Sequence, residues 1–211
     1  RLNHPLRAYG RIDDPPSRVQ PAPLQLIQHL HSHSVDPWSR AVCDMAFIFL
    51  CGPGEYTYPS DPDTRISPFR LCDVTFYHGP RAVPATTGTL GDISSATSVY
   101  LTFTDQKNGV RGERIGHCRS QDATACPVLA LVRRVLHLRA HHAPPTSPLY
   151  LVHTANRFIP IRSSAITQAL RVSASATTSS LNIDPSRISA RSLRAGGAMA
   201  LLCAGIDTNI I

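Results

Sequence analysis

The chain has 211 residues, enough for one sizeable domain or for a main domain with a short leader. With 42% hydrophobic and 17% charged residues it lies outside the low-hydrophobicity, high-charge signature of disorder, so a packed core is expected. The net charge of +7 comes from 20 arginines and a single lysine, Lys107, set against 14 acids, an excess that suits a polyanionic partner and equally a merely solvated basic surface.

No apolar run approaches the roughly 20 residues of a membrane span, and the arginine-containing start has no apolar signal core behind it. The expectation is an intracellular protein without a membrane partner, nuclear if the source is eukaryotic. Residues 1–23 carry Pro5, Pro15, Pro16, Pro21 and Pro23 among arginines without periodicity and read as an irregular leader or linker before a domain spanning residues 24–211. Leu24, Ile27, Leu30 and His31 share one face of a helix over Leu24 to Ser34. A second helix, Trp38 to Leu50, repeats Ala41, Val42, Met45, Ala46, Phe49 and Leu50 at helical spacing after the starter Asp36-Pro37. A helix scatters His29, His31 and His33 around its surface, so they read as a solvated face and not as a ligand set.

Gly52-Pro53-Gly54 ends the second helix, and the proline- and aspartate-rich stretch from Tyr58 to Pro68 reads as a surface loop. A β region follows: Phe69 to Tyr77, Arg81 to Pro84 as its partner, and Ser98 to Thr104. Asn108-Gly109 marks a tight hairpin with Lys107 at its tip and Gly112 to Cys118 as the returning strand. Val128, Leu131, Val132, Val135, Leu136 and Leu138 then mark a long amphipathic helix over Cys126 to His142, with Arg133, Arg134 and Arg139 on other faces, stopped by Pro144-Pro145. Short extended pieces at Leu149 to His153 and Phe158 to Ile161 precede helices at Ser163 to Leu181 and Ser192 to Cys203, the last closed by Gly205.

The six cysteines lie in apolar runs without CxxC spacing and read as small buried hydrophobes of a reducing compartment. Cys118, Cys126, His137 and His141 do not make a zinc site, because seven residues separate the cysteines where two to four are usual. No metal or cofactor is expected.

Three strings carry the functional reading. Ser189-Ala-Arg-Ser-Leu-Arg-Ala-Gly-Gly-Ala-Met-Ala-Leu-Leu-Cys-Ala-Gly-Ile-Asp207 resembles the tyrosine recombinase motif in which a histidine and an arginine three residues apart open a helix rich in small residues. Arg194 falls on the family's arginine and Arg191 on its histidine. Substitution of the histidine keeps a cation and loses a group that exchanges protons near neutral pH. A helix start with free N–H groups and an arginine suits a phosphate. The alternative is that Ala195, Gly196, Gly197 and Ala198 serve close helix packing, with the two arginines as a solvated edge.

Phe103-Thr-Asp-Gln-Lys-Asn-Gly109 is similar to the family's β-hairpin whose lysine protonates the leaving oxygen, a role the resemblance assigns to Lys107. Phe47-Ile-Phe-Leu-Cys-Gly-Pro-Gly-Glu-Tyr-Thr57, followed by Phe69 to Val74, looks like the Leu-Leu-Arg-Pro-Gly-Glu-Tyr-Thr form of recombinase-like proteins from eukaryotic mobile elements. Gly52 stands where that form has its first phosphate-clamping arginine, and Glu55 is kept as a structural partner. Losing one arm of the clamp costs on the order of several kcal/mol of transition-state binding, hence orders of magnitude in rate.

The resemblance, which covers residues 24–211, implies a mainly α fold with a small antiparallel three-stranded β-sheet, the catalytic core of DNA breaking-rejoining enzymes. It implies double-stranded DNA as partner, with a homo-oligomer on DNA as a compatible assembly, and integration or recombination as the activity. Lys107, Arg191 and Arg194 are the catalytic candidates, and Arg111, Arg114 and Arg162 the DNA-backbone candidates. The family's tyrosine nucleophile lies beyond Ile211, and no tyrosine follows Tyr150. Two readings remain: a recombinase cut short, or a mobile-element remnant that only binds DNA or serves as a helical interaction module.

Overall fold

The computed structural model describes residues 19–33, 36–59, 67–104 and 111–208. Among them are seven α-helices, a four-stranded antiparallel sheet and a separate two-stranded sheet. The leader, Lys107 and the hairpin turn at 105–110 fall largely or wholly outside the described residues.

Helix α1 (Leu24–His33) buries Leu26, Ile27 and Leu30. Helix α2 (Pro37–Ile48) starts because Asp36 accepts hydrogen bonds from the backbone N–H groups of Trp38 and Ser39, at 2.9 and 3.2 Å, and Pro37 fills the first position, where no donor is needed. The run from Ala41 to Phe47 is buried on every side, because α2 is the central rod of the fold. Against it pack α1, α5 (Pro127–Ala140), α6 (Ser163–Leu181) and α7 (Ser192–Cys203). A single turn, α3 (Pro53–Tyr56), follows α2 where the sequence pattern suggested only a break.

The large sheet has the order β2-β1-β3-β4, built from β1 (Val74–His78), β2 (Arg81–Pro84), β3 (Ser98–Phe103) and β4 (Glu113–Cys118). It has four strands and not the three that the resemblance implied, because Arg81–Pro84 pairs fully along β1. Its first strand is shorter than expected: Leu71–Asp73 forms a 3₁₀ turn in which Asp73 accepts the Arg70 backbone N–H, so only Val74 onward is extended. Val74, Phe76, Val99, Leu101 and Phe103 face the core. Helix α4 (Leu90–Ser95), capped by Thr89, joins β2 to β3 and was not legible in the pattern. The short pieces near residues 150 and 160 pair as a hairpin of β5 (Leu151–Thr154) and β6 (Arg157–Pro160).

Three expectations are corrected. Arg134 is fully buried and not turned to solvent: it donates to the carbonyls of Leu149, at 2.9 and 2.6 Å, and of Leu151, tying α5 to β5. His29 and His31 are hydrogen-bonded and not a solvated face: His29 Nδ1 pairs with Ser173 Oγ at 2.7 Å, and His31 Nδ1 with Asp44 at 3.2 Å. Cys43, Cys51 and Cys126 are buried as expected, but Cys72, Cys118 and Cys203 are exposed. No helix among the described residues is long and apolar enough to cross a membrane.

Candidate functional site

Helix α2 ends in a reversal that shapes the site. Leu50 takes a left-handed conformation, φ 53°, and the Cys51 N–H reaches back to the Ala46 carbonyl at 2.9 Å, which is the Schellman closure of a helix. Glycine is the usual residue there, and a leucine costs roughly 1–2 kcal/mol in that region. The closure turns the Leu50 carbonyl toward α7, where it accepts a hydrogen bond from Arg194 Nε.

Arg194 is also held by Glu55, Nη2 to Oε2 at 3.0 Å. The same carboxylate oxygen accepts the Gly52 backbone N–H, so Glu55 joins the start of α3 to the start of α7. The Glu55 side chain is only 11% exposed and that of Arg194 is 54% exposed, so the guanidinium is oriented from behind and open in front. Its Nη1 makes no hydrogen bond among the described residues, and a Cβ built on Gly52 would sit 3.3 Å from it. Gly52, Glu55 and Arg194, read from strings about 140 residues apart, thus lie in contact.

The glycines of α7 set this distance. A Cβ on Gly197 would come 2.0 Å from the Phe47 carbonyl oxygen, and one on Gly196 would come 1.9 Å from that of Ala22. The small-residue string therefore does pack helices closely, and Arg194, at the exposed edge of that packing, is in addition tied to Leu50 and Glu55.

In front of Arg194 opens a cleft of about 790 Å³ between the end of α2, strands β3 and β4, and α7. Its walls are largely apolar, with Phe49, Ile115, Leu201 and Ile206, and among the described residues Glu113, His117 and Arg194 are its charged or titratable groups. Phe103 and Glu113, paired across β3 and β4, both line it. His117 went unnoticed in the sequence reading. Its ring meets Phe49 edge-on at 4.7 Å, and burial in the cleft holds its pKa below the ordinary value. Strand parity was the available signal, because Glu113, Ile115 and His117 alternate away from the outward-facing Arg114.

The other candidates are dispersed. Arg191 stands at the α7 N-cap, exposed, and is not part of the cleft wall. Arg111 is exposed at the foot of the hairpin. Arg114 is on the opposite face of the sheet from the cleft, donating to the Tyr77 hydroxyl at 2.7 Å. Arg162 precedes α6 with its guanidinium 5.4 Å from the centre of the Tyr58 ring. Among the described residues no group of three or more His, Cys, Asp or Glu side chains is arranged to hold a metal ion. Compared with protein-family models, curated proteins and solved structures, the chain matches none.

Proposed function

We propose that the chain is a tyrosine recombinase-like DNA-binding protein, impaired in strand cleavage, whose cleft at Arg194 takes a phosphate of duplex DNA. The observation that carries this reading is the meeting of Gly52, Glu55 and Arg194. In the resembling family the positions of Gly52 and Arg194 are the two arms of one phosphate clamp and Glu55 is their structural partner, and a chance match of two separate strings gives no reason for them to touch. The guanidinium is fixed by Leu50 and Glu55, and its Nη1, without a partner among the described residues, is left to donate to a phosphate oxygen.

Impairment follows from Gly52 and Arg191. Glycine offers no second guanidinium beside Arg194, and an arginine in place of histidine cannot pass a proton near neutral pH. His117 is the cleft's own titratable imidazole.

The test is duplex binding measured against salt concentration. A phosphate contact contributes about one unit to the slope of log K against log salt, so Arg194→Ala should weaken binding and lower the slope by about one. Absence of duplex binding at low salt, or an unchanged slope in the variant, refutes the reading.

A further inference from the structure

The four-stranded sheet has one face in the core and one turned outward, and the outward face carries a cluster that the cleft does not use. Strand register puts Tyr100 across from Gly116 and Arg114 across from Thr102, with Tyr77 on the neighbouring strand. Tyr100 and Tyr77 meet edge-to-face with ring centres 5.1 Å apart. The Arg114 guanidinium lies 5.3 Å from the centre of the Tyr100 ring and 5.8 Å from that of Tyr77, and is anchored by its 2.7 Å hydrogen bond to the Tyr77 hydroxyl.

Gly116 decides how the Tyr100 ring lies. A Cβ there would come within 2.2 to 2.4 Å of three ring atoms, so the ring rests directly on the β4 backbone and is laid down along the sheet. Tyr100 is nonetheless 37% exposed. The result is an aromatic ring and a tethered planar cation side by side on an open sheet.

We propose that this face is a stacking platform for the unpaired bases of single-stranded nucleic acid. Every base has a π-face that stacks on tyrosine rings and guanidinium planes, and aromatics on an antiparallel sheet are a sufficient surface for it. Charge complementarity selects this occupant. Of the side chains that the register turns outward on these strands, only Arg114 is charged, so a polyanion meets a cation and no carboxylate, on a chain of net charge +7. The platform is separate from the duplex-phosphate cleft, which opens on the other side of the sheet.

The experiment titrates the full chain with a labelled oligothymidylate and, in parallel, with a duplex of equal length. Tyr100→Leu keeps an apolar side chain over Gly116 and removes the π-face; Tyr100→Phe keeps the π-face; Arg114→Lys keeps the charge and removes the plane. Stacking is worth enough per base that Tyr100→Leu should weaken oligothymidylate binding at least about fivefold. Arg114→Lys should also weaken it, while Tyr100→Phe stays within about twofold of the parent and neither Tyr100 variant moves duplex binding. A thermal melt checks the fold of Tyr100→Leu, and Arg114→Lys, at an exposed position, serves if that variant unfolds. The platform is overturned by no oligothymidylate binding, by unchanged binding in both variants, or by a loss equal for single strand and duplex. Arg194→Ala should spare oligothymidylate, so failure of the cleft reading remains distinguishable.

Discussion

Replacing Gly197 by alanine tests whether α7 is set against α2 by backbone contact. Alanine is the better helix former by about 1 kcal/mol, so a glycine free of neighbours would give a stabilised variant. Here the added Cβ falls 2.0 Å from the Phe47 carbonyl oxygen and 2.6 Å from Leu50 Cδ2, where carbon and oxygen normally approach no closer than about 3.3 Å. Leucine can turn aside, but a carbonyl inside a helix cannot, so α7 must retreat by about 1 Å. Overpacking of this kind costs about 1–3 kcal/mol, and a rigid backbone obstacle belongs at the upper end. Net of the propensity gain, destabilisation should be about 2 kcal/mol, a fall of roughly 4–8 °C in melting temperature for a domain of this size. The same retreat draws Arg194 away from Leu50 and Glu55, so duplex affinity should drop with it. Gly91 in α4 is the control, because a Cβ there meets nothing nearer than 4.0 Å and Gly91→Ala should melt at or above the parent. A Gly197→Ala protein that melts as high as the parent, followed by circular dichroism, would refute the packing argument.

Arg134→Ala should destabilise by roughly 3 kcal/mol or more, because it leaves the Leu149 and Leu151 carbonyls unpaired and opens a cavity in the core, and chemical denaturation reads this directly. The pH profile contains two opposed contributions. Burial first, then Arg134, His141 and His153, lowers the His137 pKa from 6.5 to about 4, and its Nε2 accepts the His153 N–H at 2.8 Å, which requires the unprotonated nitrogen. With the folded pKa below the unfolded one, that stabilisation is complete above pH 6.5 and is lost as pH falls toward 4. Burial raises the Asp44 pKa from 3.8 to about 7 against the opposing pull of Arg133 and Arg40, so its contribution is complete below pH 3.8 and is lost as pH rises through 7. In melts across this range, Asp44→Asn should gain on the parent as pH rises and His137→Gln as pH falls. Differences from the parent that do not vary with pH would contradict both assignments.

The ranges of the last two helices were legible from sequence: α6 begins and ends where expected, and α7 stops before Gly205. Arg134 was misplaced because charge was weighed above spacing. It stands three residues after Leu131 and four before Leu138, on the inward stripe, and its Nε and Nη2 donate to the carbonyls of Leu149 and Leu151 at the start of β5, which helix periodicity cannot reveal. The left-handed Leu50 was hidden for a related reason. Glycine announces such a reversal, whereas a leucine is held there by tertiary contacts alone. Arg194 and Glu55 were readable as motif positions, but their contact depends on how closely α2 and α7 approach.

That approach joins two properties of the α7 string that the sequence offered as alternatives. Gly196 and Gly197 remove the side chains that would hold the helix off Ala22 and Phe47, and Arg194 lies one turn before Gly197 along the same helix. The close contact brings its Nε to the Leu50 carbonyl and its Nη2 to Glu55 while the rest of the guanidinium still faces the cleft. A side chain at residue 197 would therefore alter the cation without touching it, and a change at Arg194 would leave the helix packing intact. Packing and anion binding are accordingly separable by mutation in one direction only, which is the asymmetry expected when the backbone positions the charge.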